Sequence, residues 1–297
     1  QQVVYPEQEI LDRFGIDAID IGRVFNTEDS DWYDISLSDG SAAQYPVWFK
    51  PVKQENGDYL VFDKEGTQIA RMPVGATFFD QTCFPYLEGY PETYENLDWA
   101  MGKVLWSALV HSPWDHSGEK DFYQQLRERT VKLRESTGRA LVITCGCNLF
   151  EWGTFLRRMD NFLMDIYSEP EEVDRLIDQL MERHLATLEK VCESVGDIVD
   201  ILRFGDDLGM DTGMFMSREK YQEHFKKHHT KLNEYVHKHS KMKIFLHSCG
   251  SIYPIIPDLI EAGYDILNPV QTSAREMDPE VIKREFGRDI TFWGGGC

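Results

Sequence analysis

Long apolar runs are missing from this 297-residue chain. No stretch approaches the ~20 consecutive apolar residues that a membrane-spanning helix requires, so no such helix is expected. No basic and apolar leader opens the chain, so no signal peptide is visible, although the first residue is Gln1 and not Met. Cysteine is sparse. Six residues in this length do not make the dense disulfide framework of a small secreted domain. They point to a reducing cytoplasm, with thiols available to a metal. Basic residues are the minority, 31 against 51 acidic, giving a formal net charge of −20. Such a surface repels nucleic acid unless a basic patch is set aside for it. The richest basic stretch, Lys226 to Lys243, has helical character and carries histidines. It reads as a solvated helix face, the alternative being a docking patch for an acidic partner. No GxGxxG follows a strand-like run, so a dinucleotide fingerprint is absent. No internal repeat or low-complexity stretch is seen. What is present, 42% hydrophobic and 28% charged residues, is enough to bury a sizeable core in one large domain or two small ones.

The chain changes character along its length. Residues 6–14 suit a short amphipathic helix. Between about 31 and 80, Gly and Asp punctuate short alternating runs such as Tyr59-Leu60-Val61-Phe62, the pattern of a β-meander or a set of hairpins. Residues 81–118 are rich in Pro and aromatics and resist assignment. A helix is expected from about Lys120 to Ser136. From Arg139 the pattern turns regular: strand-like runs at Ala140–Thr144, Ile198–Phe204, Lys243–Leu246, Asp265–Leu267 and Asp289–Trp293 alternate with helical stretches. Pro170 to Val195 is the longest of these, with Pro170, Glu171, Glu172 and Asp174 in its first turn. Ser217 caps a second, running to about His239. Strand and helix repeated with short joins give a parallel sheet with crossover helices. The expected fold is therefore α/β, a single distorted (β/α)8 TIM-like barrel over 1–297, with regular units from 119 onward and an N-terminal region (1–118) that holds the meander or lid. An open doubly wound sheet is the alternative. The chain stops just after a strand where a closed barrel needs more, so a fragment of a longer protein is expected.

In parallel α/β folds reactive side chains gather at the carboxyl ends of strands. Four features of this sequence sit there. His247-Ser248-Cys249-Gly250 follows one strand, and Trp293-Gly294-Gly295-Gly296-Cys297 follows another. An imidazole and two thiols make a soft-metal site, and three protein ligands would leave one corner of a zinc ion open. The alternative is buried thiols beside a hydrogen-bonded histidine. Asp206 and Asp207 end a third strand, where they can position substrate, take a proton or bind a cation, or one of them can cap a helix. Asp207 is the favoured functional member. Cys145-Gly146-Cys147 ends a fourth strand and reads as small residues easing a tight turn, or as a second soft site. Phe84, Tyr86, Phe150, Trp152 and Trp293 fall near expected loops, where they can line a pocket or simply pack. Glu151 and Trp152 are candidates to face the same cavity, as are Gln271 and Trp293. Asn268 to Gln271 can present an amide to the mouth. His224, His228, His229, His237 and His239 read as surface residues without evident partners.

At these residues the chain resembles the uroporphyrinogen decarboxylase superfamily, and within it the cobalamin-linked methyltransferase branch. The matching stretch holds His247-Ser248-Cys249-Gly250, Pro254, Leu259, Glu261 to Asp265, Asn268 to Gln271 and the Trp293–Cys297 end. The Phe204–Gly209 segment fits as well. The resemblance covers about residues 140–297 and is loose before that. It implies a distorted (β/α)8 barrel, zinc on His247, Cys249 and Cys297, and transfer of a methyl group to or from a separate corrinoid protein. The decarboxylases proper use an arginine-rich N-terminal motif and no metal. That motif is not found here, and Cys249 and Cys297 would be idle in such an enzyme. The 31–80 meander departs from the family and suggests a branch-specific lid or partner surface.

Zinc with two thiolates and a neutral imidazole carries about zero net charge, which makes it a weak activator of water. It suits holding a thiol acceptor as a thiolate, or polarising the oxygen or nitrogen of a methyl donor, for which the aromatic density suggests a methoxylated aromatic. The expected function is thus a cytoplasmic, zinc-dependent methyltransferase linked to a corrinoid protein, with Asp207, alone or together with Asp206, positioning the donor or acceptor. The alternatives are a porphyrinogen-type decarboxylase, with an aspartate on the pyrrole N–H groups, and a barrel that binds a corrinoid or small ligand without chemistry.

Overall fold

The computed structural model describes residues 6–37, 40–105 and 112–295. Six strands form a parallel sheet: β1 (Ala18–Asp20), β2 (Ala140–Gly146), β3 (Ile201–Gly205), β4 (Lys243–His247), β5 (Ile266–Asn268) and β6 (Thr291–Phe292). Their order in space is their order in the chain. The strands curve into a half-barrel with helices on the outer side: α1 (Phe122–Ser136), α2 (Phe150–Arg157), α3 (Met159–Ser168), α4 (Pro170–Val195), α5 (Lys227–His239), α6 (Ile256–Glu261) and α7 (Pro279–Phe286).

The two faces of the sheet follow from the period of two along each strand. Leu141 and Ile143, Leu202 and Phe204, Ile244 and Leu246, and Leu267 point outward into the core shared with the helices. The alternate residues Ala140, Val142, Ile201, Phe245 and Ile266 form a separate, smaller cluster on the concave face. Toward the carboxyl ends the same inward rows turn polar, through Asp20, Thr144, Arg203, His247 and Asn268. Register places Arg203 beside Thr144 and Phe245, and His247 beside Gly205 and Asn268.

Local chemistry accounts for the element ends. Pro170 at the start of α4 supplies a preset φ, and Glu171 and Glu172 favour the positive end of its macrodipole. Val173, Leu176, Ile177, Leu180, Leu188, Val191 and Val195 make its buried stripe. Asp278 accepts the N–H groups of Glu280 and Val281 and so caps α7. Ser217 caps Arg218–Tyr221, and a single π-helical stretch, Gln222–Lys226, joins that turn to α5. The helix expected after Ser251 is shorter than the sequence pattern: a 3-10 turn at Tyr253–Ile255 precedes α6.

The strands between Trp32 and Gln81 form two antiparallel sheets. Trp32–Ser36 pairs with Ala42–Pro46, and Val52–Lys53, Tyr59–Phe62, Gln68–Met72 and Asp80–Gln81 form the second sheet in sequential order. Val61, Ile69 and Ala70 are the buried residues of their own small core.

Three of the five histidines in this region are not at the surface, contrary to the sequence expectation, while His237 and His239 are exposed as expected. His224, His228 and His229 are buried. α5 and the turn before it pack on α4, whose Asp174 meets His224 Nδ1 at 2.9 Å and whose Asp178 lies 3.4 Å from His228 Nε2. Only the lysine side of this helix and its last turn, with His237 on Asp265 and His239 stacked on Tyr235, face outward. No helix among the described residues is long and apolar enough to cross a membrane.

Candidate functional site

The site is built at the carboxyl ends of β3, β4 and β5. His247 is the last residue of β4, and Cys249 lies two residues further on. Asp207 follows β3. One nitrogen, one sulfur and one oxygen from these three lie within 4.8 Å of one another, the one such group of three or more His, Cys, Asp or Glu among the described residues. Cys249 Sγ is 3.5 Å from His247 Nε2, and Asp207 Oδ1 is 3.9 Å from the same nitrogen. Asp207 Oδ1 also accepts the backbone N–H of Cys249 at 2.7 Å. The side chains of His247 and Asp207 are 29% and 38% exposed, so a small molecule can reach them.

Asn268 decides which imidazole nitrogen faces the trio. Its Nδ2 donates to the carbonyl of Trp293 at 2.8 Å, which turns its Oδ1 toward His247 Nδ1 at 2.6 Å. Nδ1 must then carry the proton, and the lone pair of Nε2 points at Cys249 and Asp207. A histidine that donates through one nitrogen and offers the other is arranged as a metal ligand. Imidazole, thiol and carboxylate are all donors zinc accepts, so the residues present fit the ion.

The loop carrying Cys249 is held from several sides. Gln271 Oε1 accepts the N–H of Gly250, while its Nε2 donates to Asp211. Ser248 Oγ accepts the N–H of Leu208, and Ser251 N–H donates to the carbonyl of Met210. Gly250 has φ +86°, and a Cβ there would come within 2.3 Å of the Gly209 carbonyl carbon. Only glycine lets the two loops approach this closely.

The aspartate pair divides its labour. Asp206 is 1% exposed. Its carboxylate accepts the N–H groups of Leu149, Phe150 and Glu151 at 3.2, 3.0 and 3.0 Å, capping the start of α2, and lies 3.4 Å from His229 Nε2. Nδ1 of that imidazole is 3.1 Å from the Tyr221 hydroxyl. Asp206 thus belongs to the framework, and Asp207 alone reaches the open site.

Glu151 stands behind Asp207. Its Oε2 accepts the N–H of Asp207 at 3.2 Å and also a hydrogen bond from the Asn148 amide. Burial, then the charges of Asp206 and Asp207, push its carboxyl up to about 8. Both folded and unfolded chains hold this proton below the ordinary value of 4.5. As pH rises toward 8 the unfolded chain releases it and the folded chain does not, so stability is lost over that window. Glu151→Gln is expected to remove that slope in the metal-free protein, giving on the order of 4 kcal/mol greater stability at pH 8 than wild type. Urea melts at pH 5 and pH 8 check this. Parallel wild-type and variant slopes would contradict it.

Other expected site residues are placed differently. Trp152 is 1% exposed in the helix-side core against Phe155, and Phe150 is sealed among Phe162, Phe215 and Phe225. Neither offers a surface to a ligand, because both lie on α2, whose apolar side turns into the main core. Trp293 is 40% exposed and sits edge-on to Phe245 on the concave face. Cys145 and Cys147 are buried, and burial pushes both thiols up, which keeps them protonated. Gly146 and Cys147 both take positive φ, the tight turn from β2 toward α2. Cys297 lies outside the described residues. Sequence reasoning missed His184, buried and neutral, its pKa lowered to about 4 by burial, with Nε2 2.9 Å from the Asn148 carbonyl. It also passed over Asp20 and Arg203 on the concave face. Their signal was the two-residue period of β1 and β3.

The uroporphyrinogen decarboxylase (URO-D) family matches residues 144–294, more than half of the chain. The chain belongs to this family. The matched span begins within β2 and contains Asp207, His247 and Cys249, so the trio lies on the part of the chain that the URO-D family defines. No curated protein matches it. Among solved structures it is similar to a methyltransferase from Methanosarcina mazei, with 16% identity and a TM-score of 0.46, over 75% of this chain and 58% of that one. It is similar also to a morphinone reductase variant in complex with tetrahydroNAD, with 12% identity and a TM-score of 0.22, over 73% of this chain and 53% of that one. The chain thus spans little more than half the length of either.

Proposed function

We propose that this URO-D family protein is a cytoplasmic, zinc-dependent methyltransferase that moves a methyl group between a small substrate and a corrinoid protein. Its architecture on this reading is one distorted (β/α)8 barrel, to which the described strands contribute six, with residues 31–80 as a lid or partner surface. The observation that carries the reading is the nitrogen, sulfur and oxygen of His247, Cys249 and Asp207 within 4.8 Å at the strand ends. A decarboxylase of porphyrinogens has no use for that sulfur.

His247 and Cys249 would hold the ion together with Cys297, which follows Gly295 by two residues. Gly295 donates its N–H to the carbonyl of Pro269, beside Asn268. Asp207 is the nearest further ligand and otherwise orients the substrate. Zinc held there would keep a substrate thiol in its thiolate form or polarise the oxygen or nitrogen that bears the methyl group. Asn268 keeps the His247 lone pair aimed, Glu151 holds its proton at neutral pH and fixes the Asp207 backbone, and Phe245 and Trp293 offer an apolar wall to the substrate body.

The test is metal analysis of the purified protein with an assay of methyl transfer to or from a corrinoid protein. About one zinc per chain is expected, with activity lost on chelation and regained on zinc addition. A metal-free wild type that is fully active would end the reading. The family match favours a second one, porphyrinogen decarboxylation with Asp207 on the pyrrole N–H groups. That activity would need no metal. Asn268→Ala should weaken zinc about 10- to 100-fold without unfolding the protein, because it frees the tautomer of His247. Competition against a chromophoric chelator measures this, and unchanged affinity would show that Asn268 does not set the ligand.

A further inference from the structure

Arg203 stands on the concave face as a charge with no bonded partner among the described residues. It lies on β3 between Thr144 and Phe245 in register. Its guanidinium stands 5.8 Å from the centre of the Phe245 ring, and it makes no hydrogen bond or ion pair with any described residue. Other partly buried arginines are treated differently. Arg157 is bonded to Asp165 and to the carbonyls of Tyr86 and Leu87, and Arg134 to Asp200. Of the acids that attract it Asp20 acts most strongly, but its carboxylate is taken by the N–H of Gly22 at 2.7 Å and the hydroxyl of Thr144 at 3.3 Å. Asp20, Asp207 and Cys249 attract the guanidinium from a distance, while burial opposes its charge.

A half-buried guanidinium on a sheet face with no carboxylate bonded to it leaves its planar fork open to an anion of matching geometry. Position says where that anion sits. Arg203 is one inward layer, ~6.6 Å along the strand, below the layer of His247 and Asn268. The residue above it on β3 is Gly205, which places no side chain between the guanidinium and the open site.

We propose that Arg203 is an anion subsite that holds the carboxylate, sulfonate or phosphate group of the small methyl donor or acceptor, with the reacting heteroatom directed up to His247, Cys249 and Asp207. The inference rests on the function proposed above for the identity of the reacting end. The binding of the anion by Arg203 itself does not require the metal. It names the substrate class: a small molecule with an anionic oxygen group at one end and a sulfur, oxygen or nitrogen about one strand layer away.

The experiment measures thermal shift and calorimetric binding of the protein as purified, at constant ionic strength against chloride. The probes are inorganic phosphate, sulfate, 4-methoxybenzoate and 3-mercaptopropionate, with the two carboxylates paired to their neutral amides. At least one anion is expected to stabilise wild type and the exposed control Arg288→Gln, and a carboxylate that binds should do so about 10- to 100-fold more tightly than its amide. Arg203→Gln should abolish the anion effect with unchanged circular dichroism, and Arg203→Lys should keep part of it. A response to phosphate or sulfate alone would assign a free oxyanion, one to methoxybenzoate a donor, and one to mercaptopropionate an acceptor. No anion effect in wild type, or an effect that survives Arg203→Gln, overturns the proposal. Metal content and chelated samples separate the two readings: anion selectivity in a zinc-free wild type leaves the Arg203 subsite standing and removes the zinc function, and zinc without anion selectivity does the reverse.

Discussion

Cys249→Ser should leave the protein folded and take away metal and turnover together. Serine is close in size, and the backbone N–H of Cys249 that binds Asp207 is untouched, so the loop keeps its place. The hydroxyl, though, does not ionise near neutral pH as a thiol with its ordinary pKa of about 8.5 does under a metal. It is a poor partner for an ion that favours sulfur. The loss of a direct ligand exceeds the roughly 10- to 100-fold cost of losing an outer-shell partner, so a fall in activity of more than about 100-fold is expected, with zinc content near zero. Circular dichroism and urea melts of the chelated proteins should agree within about 1 kcal/mol, the range of changes that open no cavity and bury no unpaired group. Retained zinc in the serine variant would remove Cys249 from the ligand set. Retained activity without zinc would move the protein to the decarboxylase reading.

Asp206→Ala acts on the neighbouring residue and should do the opposite. Its removal strands three buried backbone N–H groups at the start of α2 and the imidazole of His229. Water does not replace the carboxylate easily at a position 1% exposed. Breaking one side of a buried, hydrogen-bonded charge network costs about 3–5 kcal/mol, a large part of the stability of a whole domain. Asp206→Asn keeps one acceptor oxygen and should lose less. Asp207→Ala, at the half-exposed neighbour, should cost about 1 kcal/mol or less while it impairs the site. Denaturant melts of the three variants measure the ordering. Equal losses at 206 and 207 would mean that the capping network carries little of the fold.

The contrast between these two aspartates shows where sequence reasoning stopped. The pair was visible as two acids ending a strand, and a helix-capping role for one of them was foreseeable. Which one caps depends on the twist of the chain as it leaves β3, since adjacent side chains leave in different directions. Only the position of α2, reached from another strand, supplies the three N–H groups that claim Asp206. The histidines of α5 are a second case. A charged, lysine-rich helix reads as a solvated face, and its partners Asp174 and Asp178 lie on α4, some fifty residues earlier. No local pattern records that the two helices pack.

The sequence by itself determined the alternation of strand and helix after Arg139, because side-chain period and end signals act within a few residues. Pro170 and the acids after it, Ser217 and Asp278 mark their helix starts locally. It determined also that His247 and Cys249 stand at a strand end, where parallel sheets place their reactive groups. Tertiary structure alone decided that Asp207 joins them, that Asn268 turns the imidazole, that Trp152 and the Cys145 and Cys147 thiols are sealed away, and that Arg203 is left with its charge beneath the site. Those outcomes depend on contacts between segments far apart in the chain, and no period or cap within one segment can carry that information.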